Sequence, residues 1–331
     1  MGIMNLTFTS IARNDAVVTC LKNLTHEGRN KIIVVDFSET TAQQILARVD
    51  QIFSDVDGTL VELGHNTLSE KYITMLQTLS DSGVKTTLVT GKPLSEITRL
   101  VSSLPPTLSL RIIYEKGSYF LEPDQTGILK KHYLLSSPEL EASIQNLKQA
   151  SVAFIVEVEA KYQDTSGQPL VKIGWGGDGT HESILSFDIL KAGAPENYLD
   201  IKGYEREALK VSDEKLLVQV TTDLREFITK QRPDWRFVDL GNGNIEVAPR
   251  PIEKDEAILS LPDFANYKGI LLLGDSPNDS KMFELRRLEN AWAGLVLHSP
   301  KTTFLCEQVD FVTFGMGNAL PLLKTCIQSR K

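Results

Sequence analysis

Two aspartates stand two residues apart in "IFSDVDGTLV" (Ile52 to Val61): Asp55 and Asp57, where an apolar run turns polar. Open parallel sheets bind their ligands beyond the carboxyl ends of strands. Residues i and i+2 of an extended segment can point the same way, so both carboxylates can serve one site. Gly58 permits a tight turn with exposed backbone N–H groups, which suits an anion. Asp-Gly-Thr also makes ordinary turns, so the pair needs partners before it means chemistry.

Three later stretches supply candidates. In "TLVTGK" an apolar strand ends at Thr90, whose hydroxyl can bind a phosphate oxygen or simply cap a turn or helix. "APRPIEKDEAI" puts Lys254 at the start of a helix, where a lysine is ordinarily solvated surface. "ILLLGDSPNDSKMF" runs three leucines into Asp275, Asn278 and Asp279. Carboxylates crowded at the end of a buried strand repel one another unless a cation joins them. Oxygen-only ligands with an open position favour Mg2+ over zinc.

A second Asp-Gly-Thr lies in "GWGGDGTHES" (Gly174 to Ser183), richer in glycine and holding His181. It falls among segments that read as antiparallel strands rather than at the end of a parallel one. One reading makes it a β-turn. The other makes it a loop that closes over the site, with Asp178, Thr180, His181 or Glu182 touching the leaving group. Trp175 reads as a packing residue and His65 as a surface loop residue.

These residues need elements to position them. From Gln51 the chain alternates strand, helix, strand, helix, strand: "QIFSDVDGTL", "SEKYITMLQTLSDSG", "VKTTLVTGKP", "LSEITRLVSSL", "LRIIYEKG". That rhythm predicts a parallel sheet with crossover helices. From about Ser136 to Asn244 it changes. "SSPELEASIQNLKQA" reads as a helix, and "SVAFIVEVEAKYQ", "LVKIGWGG" and "ESILSFDIL" read as strands. "SDEKLLVQVTTDLREFITKQRP" mixes strand and helix, and "WRFVDLGNGNIEVAPR" is two strands around a turn. After Pro249 the alternation returns. The expected architecture is α/β, a Rossmann-like doubly wound parallel-sheet core in residues 51–135 and 245–331, with an inserted α+β domain at 136–244. Residues 1–50 form an extension with a short strand at 31–37 and a helix at 38–49, to which no role is assigned. Its "IVVDFSETT" imitates a strand-Asp-x-x-x-Thr loop but lacks the second Asp and the glycine.

"DVDGT", "TLVTGK", "EKDEAI" and "GDSPNDSKMF", in that order, resemble the four motifs of the haloacid dehalogenase superfamily of phosphohydrolases. The long insertion before Lys254 is similar to the subclass with its cap between the second and third motifs, as in Cof-type and sucrose-phosphate phosphatases. The resemblance covers about residues 51–325. It implies Asp55 as nucleophile, forming an aspartyl phosphate, and Asp57 as general acid and then base. It implies Thr90 and Lys254 as ligands of the transferring phosphoryl group, with Gly58, Thr59 and Gly91 completing the phosphate-binding set. It implies Mg2+ held by Asp55, Asp275 and the backbone carbonyl of Asp57, with Asp279 and Asn278 in support. Two positions depart from the family: Lys92 stands where arginine is common, and Asp255 follows Lys254 where glycine is common. "GGDGT" also resembles the phosphate-binding signature of diacylglycerol and NAD kinases, but those carry it after a core strand of the nucleotide domain.

Composition narrows the partners. With 331 residues, 41% hydrophobic and 24% charged, the chain is long enough for about two domains. A net charge of −8 argues against nucleic acid as a partner. No run is long and apolar enough for a membrane span, and no signal peptide is evident. Cys20, Cys306 and Cys326 are scattered, as in a cytoplasmic protein with reduced thiols. The expected activity is Mg2+-dependent hydrolysis of a small phosphorylated metabolite, a phosphosugar foremost. A phosphosugar mutase using the same Asp55 is the first alternative and a non-catalytic protein on the same fold the second.

Overall fold

The computed structural model describes residues 40–62, 67–102, 104–105, 108, 110–124, 128–176, 180–198, 201, 205, 208–249 and 253–329. Cys20, His65, Asp178 and the expected strand at 31–37 lie outside the described residues.

The described chain opens with α1 (Thr40–Leu46) and β1 (Gln51–Ser54). Then come α2 (Glu70–Asp81), β2 (Lys85–Val89), α3 (Leu94–Val101) and β3 (Leu110–Tyr114). Two strands follow that the sequence rhythm does not announce, β4 (Tyr119–Pro123) and β5 (Leu129–Tyr133). The intervening stretch holds α4 (Pro138–Lys161), β6 (Val171–Trp175), β7 (Leu185–Lys191), α5 (Glu214–Gln231), β8 (Arg236–Gly241) and β9 (Asn244–Ala248). The chain then returns through α6 (Lys254–Leu259), β10 (Ile270–Gly274), α7 (Ser280–Glu284), β11 (Ala291–Leu297), β12 (Phe311–Phe314) and α8 (Leu320–Gln328).

The larger sheet has the order β12-β11-β10-β1-β2-β3-β4-β5. Its pairs are parallel from β12 to β3, and β4 and β5 close that edge as an antiparallel pair. Both faces are covered, so the inner strands are apolar without alternation. Ile52, Leu88 and Leu273 pack into one core cluster; Phe53, Val89 and Leu272 pack into the other. Cys326 is buried in the first cluster and Cys306 in the second, on opposite faces of the sheet. The order reverses between β1 and β10: the chain winds outward from β1 through β2 and β3, and from β10 through β11 and β12. Such a switch point leaves a crevice at the strands' carboxyl ends. Ser54 is in register with Leu273, so the loops after β1 and β10 emerge side by side.

The smaller sheet, β6-β7-β9-β8, is antiparallel and packs against α4 and α5 around Phe187, Ile245 and Leu224. β9 takes it through Ala248, four residues past Asn244. Two expectations are corrected here. "SVAFIVEVEAKYQ" is not a strand but the second half of α4, which starts at a Ser137 cap accepting from Leu140 N. The alternating valines mislead, because the buried residues Ile144, Leu147, Ser151, Ile155 and Val158 recur at three and four, while Val152 and Val156 face solvent. Residues 214–231 likewise form helix throughout, capped by Asp213. The hairpin between β8 and β9 turns on Asn242 and Gly243, both left-handed, which gives the twist that antiparallel strands need.

Candidate active site

Asp55 is the first residue after β1 and Asp275 the first after β10. Asp55 N donates to the Leu273 carbonyl at 2.8 Å, which fixes the two strand ends together. Ligand atoms of Asp55, Asp275 and Asp279 all lie within 4.8 Å of one another, and all three residues are buried. Gly58 makes that approach feasible. Its φ of +76° suits glycine, and any Cβ there would overlap the Asp275 carboxylate. The Gly58 N–H donates to the Val61 carbonyl at 2.7 Å, so the residue serves through its missing side chain rather than by offering that amide to an anion. Thr59 is buried and donates its hydroxyl to Asp275 Oδ1 at 3.3 Å.

Lys254 is not surface. It is buried at the start of α6, with Nζ 2.5 Å from Asp55 Oδ1 and 2.6 Å from Asp279 Oδ1. Burial alone would lower its pKa, but the Asp279 and Asp55 carboxylates overcome that and hold it above the ordinary lysine value. The other oxygen of Asp279 accepts from Asp275 N, Ser276 N and the Ser276 hydroxyl, at 3.0, 3.0 and 3.1 Å. Asp279 therefore spends itself on the lysine and the loop, and any Cβ at Gly274 would strike it. Asn278 is exposed on the same turn.

The cluster carries more negative than positive charge. Three carboxylates face one ammonium. Burial pushes the Asp55 carboxyl up against the pull of Lys254, and Asp279 and Asp275 push it further. Burial also raises Asp275, with His298 partly offsetting it. One divalent cation would bring the cluster to neutrality, and an all-oxygen donor set suits a hard ion. The residues therefore fit Mg2+.

Thr90 and Gly91, expected to bind phosphate, lie next to β2. Thr90 is buried, and its hydroxyl oxygen accepts from Lys92 N at 3.2 Å, the turn-capping role, which leaves the hydroxyl proton for another acceptor. Gly91 lies beside the stem of Lys116. Asp57 is about a third exposed, and its Oδ2 pairs with Lys92 Nζ at 3.1 Å; Glu96 holds the same ammonium at 3.0 Å.

Gly174 and Gly176 of "GWGG" have structural work. A Cβ at Gly174 would overlap the Tyr198 ring, and one at Gly176 would overlap Ser186. Trp175 packs on Phe187 in the core of the smaller sheet. Farther along, Thr180 Oγ1 is 2.8 Å from Ser95 Oγ, and Glu182 Oε2 accepts from Lys131 at 2.7 Å. His181 is nearly buried, which lowers its pKa. Thr180 thus meets helix α3, Glu182 meets strand β5 and His181 approaches the turn after β3.

Two residues escaped the sequence reading. His298, the first residue after β11, sets Nε2 2.7 Å from Asp275 Oδ2. Glu115, the first after β3, is buried beneath the 182–183 backbone. Their shared signal is position: each polar residue follows a buried parallel strand directly.

Among curated proteins, none matches this chain. Solved structures do. A haloacid dehalogenase-like hydrolase from Bacteroides thetaiotaomicron is 15% identical with a TM-score of 0.53, covering 85% of this chain and 99% of that one. Trehalose-6-phosphate phosphatase of Aspergillus fumigatus is 16% identical with a TM-score of 0.51, covering 90% and 99%. A trehalose-6-phosphate phosphatase related protein is 16% identical with a TM-score of 0.50, covering 83% and 95%. At these identities the likeness is one of fold. Residues 52–291 match the model of the haloacid dehalogenase-like hydrolase family, and the chain belongs to that family.

Proposed function

We propose that this chain is a Mg2+-dependent phosphomonoesterase that hydrolyses a small phosphorylated metabolite of the phosphosugar class. The observation that carries the reading is Lys254 bridging Asp55 and Asp279 at the β1/β10 switch point, in a carboxylate cluster one divalent cation short of neutral.

Asp55 attacks phosphorus with one carboxylate oxygen while the bond from phosphorus to the leaving oxygen breaks. Asp57 gives that oxygen its proton, then takes one from the water that attacks the aspartyl phosphate. Phosphate leaves and Asp55 is restored. Lys92 fixes the Asp57 carboxylate for both transfers. The Thr90 hydroxyl and the Lys254 ammonium hold the phosphoryl oxygens and offset their charge. Asp55, Asp275 and the Asp57 carbonyl would hold Mg2+, with Asp279 and Asn278 around them; when bound it screens the anionic nucleophile from the anionic phosphate.

The inserted layer, 136–244 with β9 carried to Ala248, is the cap that selects substrate. Thr180, His181 and Glu182 on it, with Asp178 two positions before Thr180 in the sequence, offer hydrogen-bonding groups for a polyhydroxylated leaving group. The Aspergillus fumigatus phosphatase among the structures of similar fold acts on a sugar phosphate by its name, which supports the same class here. Scattered cysteines and acidic composition support a cytoplasmic setting.

The test is a phosphate-release screen with Mg2+ over hexose and disaccharide phosphates, polyol phosphates and nucleotides. Inorganic phosphate from one or more sugar phosphates is expected. An isomeric sugar phosphate without free phosphate would make the enzyme a mutase instead.

A further inference from the structure

The turn after β3 carries two adjacent non-glycine residues in the left-handed region, Glu115 at φ 47° and Lys116 at φ 58°. L side chains avoid that region, and strain of this kind gathers where function requires it. The turn is tied on three sides. Its backbone grips the Thr90 loop: Glu115 N donates to the Lys92 carbonyl at 3.2 Å and Lys116 N to the Thr90 carbonyl at 3.0 Å. The Glu115 carboxylate accepts from Glu182 N at 2.9 Å, Ser183 N at 2.8 Å and the Ser183 hydroxyl at 2.5 Å. The Lys116 ammonium pairs with Glu246 on β9.

The sequence distances make this arrangement informative. Residues 182–183 and 246 belong to the inserted layer, and Thr90 and Lys92 to the phosphate side of the core. A buried carboxylate that accepts three hydrogen bonds from one loop fixes that loop firmly. His181 directly precedes the gripped amides, with Nδ1 3.8 Å from Glu115 Oε1, beyond hydrogen-bond reach, and no hydrogen-bond partner for that nitrogen among the described residues. Thr180, one residue earlier, touches Ser95 on α3.

We infer that Glu115 is a positioning residue that clasps the 180–183 loop to the phosphate loop and thereby sets how the enzyme binds the leaving group. This rests on the phosphomonoesterase reading, in which substrate has a phosphoryl end at Thr90 and a hydroxylated end beneath the inserted layer. Side-chain replacement spares the backbone bonds to Thr90 and Lys92, so the phosphoryl end keeps its geometry. Leaving-group recognition then fails separately from chemistry.

The test compares wild type with Glu115→Gln in the full chain. At pH 8, where the Glu115 carboxyl is ionised, amide hydrogen exchange at 182 and 183 is expected to rise about tenfold, as for loss of one charge-assisted bond. The KM for hexose 6-phosphates is expected to rise about tenfold, while kcat for p-nitrophenyl phosphate, whose leaving group needs no such loop, stays within about twofold. Ser183→Ala removes only the hydroxyl bond; it should show the same pattern at about threefold and serves if the Gln variant does not fold. Unchanged exchange in a folded variant, or equal loss on both substrates, overturns the inference. A wild type that cleaves neither substrate refutes the phosphatase reading instead, and the exchange measurement still decides the clasp.

Discussion

Lys254 Nζ stands 2.5 Å from Asp55 Oδ1 and 2.6 Å from Asp279 Oδ1, so one ammonium joins the loop after β1 to the loop after β10. Those loops are more than two hundred residues apart in the chain. Lys254→Met removes the one cation paired with Asp55 among the described residues and leaves the buried carboxylates of Asp55 and Asp279 facing each other without it. Removing one partner of such a buried pair costs about 3–5 kcal/mol. Chemical denaturation without metal should show a loss of that order, and added Mg2+ should restore part of it. Stability equal to wild type would mean the lysine is not held as described.

Gly58→Ala tests the close approach at the carboxylate cluster. A Cβ there meets the Asp275 carboxylate, and the left-handed backbone adds about 1 kcal/mol of its own. The variant should lose stability and bind Mg2+ more weakly by isothermal titration. Gly83, also left-handed but with open space around its missing Cβ, is the control: Gly83→Ala should cost only the backbone term and leave Mg2+ affinity alone.

His298→Ala should weaken Mg2+ binding by about 10–100-fold, the usual effect of removing a group that orients a metal-binding carboxylate. His298→Gln, which keeps a donor, should recover part of it. Unaltered affinity in the alanine variant would leave His298 a packing residue.

Glu115 gives a pH signature. Burial raises its pKa to about 7, against the bonds from Ser183 and Glu182 that pull it down, with the Glu182 charge adding to the rise. The folded state therefore holds a proton that the unfolded chain has already released above the ordinary glutamate value. The stabilisation is complete below that value and is lost as pH rises through about 7. Glu115→Gln cannot titrate. Its stability relative to wild type should improve between pH 5 and pH 8, by on the order of 3 kcal/mol at most. A difference constant across that range would contradict the assignment.

The sequence reveals the strand ends well because β1, β2 and β10 are buried on both faces and read as apolar runs that stop at a polar residue. Asp55, Thr90 and Asp275 mark those stops. Order along the chain also separates the two Asp-Gly-Thr triplets: one follows β1, the other follows an antiparallel strand of the smaller sheet. The second half of α4 is hidden because its exposed valines alternate like a strand. Strand β5 is hidden because its polar edge sequence "LKKHY" carries little apolar pattern. His298 and Glu115 were hidden because their partners come from loops distant in sequence, and only the sheet brings them together.

The central claim is that Asp55 takes the phosphoryl group. Asp57→Asn should slow release of the aspartyl phosphate, since no base remains to activate water. Incubated with Mg2+ and p-nitrophenyl phosphate, whose leaving group needs no acid, then quenched in acid and digested, this variant should carry one phosphoryl group on the peptide containing Asp55. A phosphoryl group on another residue, or none while p-nitrophenol is released in an initial burst, would contradict the account.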